Sequence, residues 1–151
     1  MHATEHIPQF SELSEQSARA LLARNHVGRI AFSFRNRVDI QPIHYVYDGS
    51  WLVSRTSVGS KLVSLAHQPW CAFEVDEVHD VFHWDSVVVH GSFTMLDPEV
   101  GSSDLYSRAL ELLQRFIPGS MTDRDPAPER VILFAIHIDE LRGRSARLAS
   151  D

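Results

Sequence analysis

Apolar and polar positions change period several times along this 151-residue chain, and each change marks an element. Ala18, Leu21 and Leu22 fall at helical spacing. Ser14 stands before them as a capping type, Glu15 in the first turn and Asn25 at the close. From Val27 to Phe34 the pattern becomes strand-like, and the polar run Arg35-Asn36-Arg37 reads as a turn. Val38 to Tyr47 reads as a second strand, which Pro42 restricts to an edge, a bulge or a bend. Asp48-Gly49 is a hairpin signal in which both residues are expected at positive φ. Trp51 to Arg55 follows as a third strand, and Lys61 to His67, with Leu62 and Leu65 on its apolar side, as a brief helix ended by Pro69.

Trp70 to Val78 makes a fourth strand, His79-Asp80 a turn, and His83 to Met95 a long strand with Val87, Val89 and Phe93 on one face. Asp97-Pro98 stops it. Val100 to Phe116 reads as a helix, because Leu105, Ala109, Leu112 and Phe116 recur at spacings of three and four. Pro118, Pro126 and Pro128 make 117–129 a loop, and Val131 to Leu141 is the last strand. Three successive strands joined by tight turns argue for antiparallel pairing. Six strands with few helices to cover them suggest closure into a small barrel, which removes exposed edges. The expected architecture is therefore mainly β with peripheral helices, a small six-stranded antiparallel barrel. Residues 1–11 form an arm that is loose up to residue 10, 12–141 the domain, and 142–151 a tail that frays.

Composition narrows the function. The formal net charge of −6 offers no clustered positive field for nucleic acid. No long uncharged apolar run spans a membrane, and the start of the chain lacks a secretion signal, so a cytoplasmic protein is expected. The one cysteine, Cys71, has apolar neighbours and reads as a small buried strand residue rather than a catalytic thiol. Of fourteen Lys and Arg residues only Lys61 is lysine.

That lysine ends the hydroxyl-rich loop Thr56-Ser57-Val58-Gly59-Ser60-Lys61. A helix start offers unpaired N–H groups to an anion, Thr56, Ser57 and Ser60 offer hydroxyls, and Lys61 offers a charge. Arg55 could add a bidentate grip on phosphate. The spacing is not that of a Walker A loop. The same residues also read as a capped turn with a solvated lysine. In Trp84-Asp85-Ser86-Val87-Val88-Val89-His90-Gly91, Trp84 and Ser86 share a strand face opposite Val87 and Val89. An aromatic beside a hydroxyl suits the edge of a planar heterocycle, and equally a half-buried Trp at a barrel rim. Gly91 marks a bulge or a close backbone approach. His79 and His83 flank a turn, but no carboxylate or cysteine completes a tetrahedral set, so no metal site is expected.

Five segments then carry a resemblance: Val27-Gly28-Arg29-Ile30-Ala31, Pro42-Ile43-His44-Tyr45-Val46-Tyr47, Gly59-Ser60-Lys61-Leu62, Phe73-Glu74-Val75-Asp76 and Trp84 to Gly91. In that order they resemble the FMN-binding split-barrel proteins related to pyridoxamine 5′-phosphate oxidase, nearest the nitroimidazole-resistance-type branch. The resemblance implies a homodimer with FMN held between subunits. It places the phosphate on Ser54, Arg55, Thr56, Ser57, Ser60 and Lys61, the isoalloxazine along Pro42, Ile43 and His44, and Trp84 and Ser86 against it from the barrel face. It implies an FMN-dependent oxidoreductase acting on a small molecule, with no catalytic side chain named. The chain departs from the family pattern at Arg55, where nitroimidazole-type relatives often carry a histidine. It also lacks the C-terminal arginine and histidine signature of true pyridoxamine phosphate oxidases. Two other readings keep the fold: an F420-dependent reductase, and a non-catalytic flavin- or haem-binding module.

Overall fold

The computed structural model describes residues 7–99 and 103–149. Its elements run β1 (Pro8–Leu13), α1 (Glu15–Arg24), β2 (Val27–Phe34), β3 (Arg37–His44), β4 (Val46–Asp48) and β5 (Trp51–Thr56). A 3-10 turn (Lys61–Ala66), β6 (Trp70–Asp80), β7 (His83–Met95), α2 (Ser103–Phe116) and β8 (Ile132–Leu148) complete the chain. Helix α1 forms where the pattern predicts it. Ser14 caps it by accepting from the Ser17 N–H at 3.1 Å, and Ala18, Leu21 and Leu22 are its buried stripe.

The strands make one antiparallel sheet in the order β3-β2-β6-β7-β8-β5-β4, with β1 also paired to β8. Strands β3 and β4 end that order, yet Tyr45 alone separates them in sequence, so the sheet must curl back on itself. Tyr45 is the pin of that closure. It is fully buried, its N–H donates to the His26 carbonyl at 2.9 Å and its hydroxyl to the Leu22 carbonyl at 2.7 Å. Its ring meets Phe73 edge-on at 4.7 Å between centroids. The result is the antiparallel barrel expected from the strand pattern, of the split-barrel class that the resemblance implied.

The inward positions of β2, β6, β7 and β8 fill the barrel with Ile30, Phe73, Val87, Val89, Phe134 and Ile136. A second apolar cluster lies where α2 packs Leu112 and Leu113 onto Val53, Leu133 and Ala135. Cys71 belongs to the first cluster, and burial pushes its thiol up to about 12, as an inert structural cysteine requires. The close approach expected at Gly91 is real. The β7–β8 register shifts between His90 and Gly91, and a Cβ on Gly91 would lie 2.1 Å from the His137 carbonyl oxygen.

Several expectations need correction. The arm is not loose from Pro8 onward, because Pro8–Leu13 pairs with Gly143–Leu148. The tail does not fray at Arg142 either, since β8 continues to Leu148 between β7 and β1. Alternation in 142–148 is masked by arginines on the solvent side, and only the ladder shows it. The second strand breaks at Tyr45 into β3 and β4, which with β1 raises the count from six to eight. The hairpin loop is Gly49-Ser50, one residue later than expected, and only Gly49 takes positive φ, at 62°. Positive φ falls instead on Arg35 and Asn36 in the β2–β3 turn. The turn after β6 falls later than His79-Asp80, because β6 runs to Asp80. Val100, Gly101 and Ser102, the expected start of the second helix, lie outside the described residues, as do 1–6 and 150–151.

Candidate functional site

A cleft of about 210 Å³ opens between the end of β3 and the C-terminal part of α2. One wall is β3, with Gln41, Pro42, Ile43 and His44. Its floor is Arg55 and Thr56 at the end of β5, followed by Ser57, Ser60 and Leu62. The opposite wall is Leu113 from α2, then Ile117, Ser120 and Arg130 from the α2–β8 loop. Seven of the residues singled out by sequence therefore meet here: Pro42, Ile43, His44, Arg55, Thr56, Ser57 and Ser60. They come together because β5 lies beside β4, and β4 is the continuation of β3.

Four others are placed elsewhere. Ser54 is buried, and its hydroxyl donates to the His44 carbonyl at 2.5 Å, stitching β5 to the end of β3 rather than facing the cleft. Lys61 turns to a neighbouring cavity shared with Phe34, Arg35 and Arg37. There its ammonium donates to Asp39 at 3.0 Å, which holds the Asp39 carboxyl below its usual range. Trp84 and Ser86 lie at the far end of β8 from the cleft: Trp84 pairs with Ala146, Thr56 with Ile132. Ser86 donates to Glu74 at 3.0 Å, and burial raises the Glu74 carboxyl, with Asp76 adding to the shift and Arg29 opposing it.

Two mechanisms expected of the loop also change. The helix after Ser60 is a six-residue 3-10 turn, and Ser60 Oγ already accepts from the Leu62 N–H at 3.2 Å. An anion here would meet hydroxyls rather than a helix end. Arg55 keeps its fork for the protein: it forms a bidentate pair with Asp125, at 2.7 Å on the Nη2 side. Its Nη1 also approaches the Ala127 and Arg130 carbonyls at 3.4 and 3.3 Å. Asp125 further accepts from the N–H groups of Met121 and Ala127 at 2.8 and 2.9 Å. Arg55 first, then these amides, hold the Asp125 carboxyl well below the usual carboxylate range.

Sequence reasoning missed the second wall. Leu113 and Ile117 read as ordinary helix and loop residues, and nothing in the pattern around Ser120 or Arg130 marks them. Their place depends on the Arg55–Asp125 pair, which joins residues seventy apart in the chain. Among the described residues no carboxylate lines the cleft, although the chain carries a net charge of −6. The site is thus a hydroxyl-rich, partly apolar and locally cationic cavity, suited to a planar ligand with an anionic end.

The chain belongs to the pyridoxamine 5′-phosphate oxidase family, whose profile matches residues 14–145. Among solved structures it is similar to an FAD-binding protein of Mesorhizobium loti, at 25% identity and a TM-score of 0.75, covering 93% of this chain and 99% of that one. An FAD-binding protein of Mycobacterium smegmatis is 27% identical, with a TM-score of 0.66 over 91% of this chain and 99% of that one. A candidate 5-nitroimidazole antibiotic resistance protein of Bacteroides thetaiotaomicron shares the fold at 13% identity, with a TM-score of 0.71 over 95% and 92% of the two chains.

Proposed function

We propose that this chain is a flavoprotein that holds the FMN portion of a flavin nucleotide in the cleft and uses it for redox chemistry on a small molecule. The observation that carries this reading is the meeting of Pro42, Ile43 and His44 with Thr56, Ser57 and Ser60 around one carboxylate-free cavity. The β3 wall offers flat apolar surface and backbone polar groups to the ring, and the hydroxyls offer donors to the phosphate. Relatives that bind FAD support a flavin, and FAD contains the same FMN portion. When bound, the flavin supplies the electron chemistry; the protein binds it, orients it and tunes its surroundings.

The site in one chain is smaller than the roughly 300–1,000 Å³ usual for ligand pockets, at about 210 Å³. Trp84 and Ser86 lie on an outer sheet face with exposed Phe10 (54%) and Val78 (65%) nearby on β1 and β6. We infer a homodimer in which this face of one copy covers the cleft of the other, with FMN between them. A twofold contact of that kind builds two complete sites at once.

The test is titration of apoprotein with FMN, FAD, riboflavin and F420, followed by fluorescence and the visible spectrum. Tight quenching of FMN or FAD supports the proposal. Binding of F420 alone keeps the cleft and replaces the chemistry with that of a deazaflavin reductase. Flavin binding without turnover by any reduced nicotinamide donor would favour a storage or sensing module.

A further inference from the structure

Two residues that line the cleft from the loop between α2 and β8, Ser120 and Arg130, have side chains without a hydrogen-bond or ion-pair partner among the described residues. Ser120 is fully buried, and its hydroxyl is a buried polar side-chain atom without a hydrogen-bond partner among the described residues. A buried unpaired hydroxyl carries a desolvation cost, so its presence on a cavity wall points to a partner that arrives with the ligand. Arg130 lines the same cleft, and its guanidinium enters no ion pair among the described residues. Its neighbour Arg55 is neutralised by Asp125, so Arg130, an exposed residue at the cleft, is the lining arginine without a carboxylate partner among the described residues.

The backbone around these residues is built for this presentation. Gly119 and Met121, on either side of Ser120, both adopt left-handed conformations, at φ 79° and 59°. A non-glycine residue held there signals a backbone shaped by its surroundings. The shaping contact is Asp125, which binds the Met121 N–H and the Arg55 fork together. Arg55 also reaches the Arg130 carbonyl, so one buried ion pair sets the position of both Ser120 and Arg130 relative to β5.

We propose that Ser120 and Arg130 form an oxyanion-reading end of the cleft, which takes a phosphate or carboxylate group through one hydroxyl and one guanidinium. Arg55 and Asp125 are its positioning residues. The inference rests on the flavin reading only for which molecule brings the oxyanion: the cofactor through its phosphate, or a small substrate through a carboxylate.

The experiment compares the wild type with Ser120→Ala and Arg130→Gln, each first melted as apoprotein with and without inorganic phosphate. Phosphate is expected to raise the wild-type Tm and to lose that effect in Arg130→Gln. Ser120→Ala is expected to melt about 2–4 °C higher than wild type, because it removes an unpaired buried hydroxyl. A structural serine would melt lower on truncation, and that result together with an unchanged phosphate response would overturn the proposal. The same proteins are then titrated with FMN, riboflavin and, once loaded, benzoate. Loss of FMN affinity by about ten- to a hundredfold in Arg130→Gln, with riboflavin unchanged, assigns the oxyanion to the cofactor. Unchanged FMN with benzoate binding lost assigns it to the substrate. Equal binding of phosphate, FMN and benzoate by all three proteins overturns the inference while leaving the flavin reading intact. A wild type that binds phosphate but no flavin overturns the reading and leaves the oxyanion site.

Discussion

Glu77 shows how much one side chain near the end of β6 can carry. It accepts two bonds from Arg24, at 2.7 and 2.8 Å, and one from the Asn25 side chain at 2.8 Å, so it ties the end of α1 to the sheet. Arg24 is the main reason its carboxyl falls to about 2 from an ordinary 4.5. A carboxylate with a depressed folded pKa stabilises the protein above its unfolded value and loses that contribution as the pH falls through the folded one. Glu77→Gln should therefore lower stability by about 1 kcal/mol at pH 7, the upper end for a partly exposed pair. The gap from wild type should shrink between pH 4.5 and pH 2, as urea melts at a series of pH values would read. A gap unchanged at pH 2 would remove the electrostatic explanation. Among the residues singled out by sequence, Gly91 and Ser14 act as their chemistry suggested. Arg55 does not: an arginine beside a hydroxyl loop looks like a phosphate ligand until Asp125 is seen holding its fork.

At the scale of elements, β8 organises the molecule. Over Ile132–Leu148 it pairs successively with β5, β7 and β1, so it links the cleft floor at Thr56 to the outer patch at Trp84. Removing residues 142–151 would strip β1 of its partner and leave the Trp84 end of β7 open. Gly143 lies under Leu13 and Ala18, so the barrel would also lose its seal beneath α1. This truncation is expected to abolish the cooperative thermal transition, followed by circular dichroism. A truncated protein that melts like the full chain would make β1 and the end of β8 dispensable. Periodicity located β2, β7 and α1 well, because each buries one face. Strand β5, packed on both faces with Leu52 in the barrel and Val53 under α2, was marked by its flanking turns. It missed β1 and the end of β8, whose pairing partners are each other across the whole length of the chain.

At the scale of the whole molecule, the described helices include none long and apolar enough to cross a membrane. The proposed dimer makes a measurable claim on the outer face. Trp84→Glu should leave folding intact, since Trp84 is outside the barrel core, and should shift sedimentation from a dimer toward a monomer with weakened flavin binding. A wild-type monomer that binds flavin tightly would dispose of the twofold site. The family assignment and the cleft fit one another: the β3 wall and the hydroxyl loop were legible in the sequence as separate segments, and the barrel closure at Tyr45 is what sets them side by side.

Sequence by itself determined the class of fold, the helix α1 with its cap, most strands and half of the cleft. These rest on local rules, namely residue periodicity, capping and turn chemistry, which act over a few neighbours. Only the tertiary structure decided which cations are free and which are spent, that Lys61 faces Asp39, and that Trp84 and Ser86 stand apart from the cleft within one chain. It also brought Ser120 and Arg130 to the site, because an ion pair such as Arg55–Asp125 depends on distance in space and leaves no periodic trace in the chain.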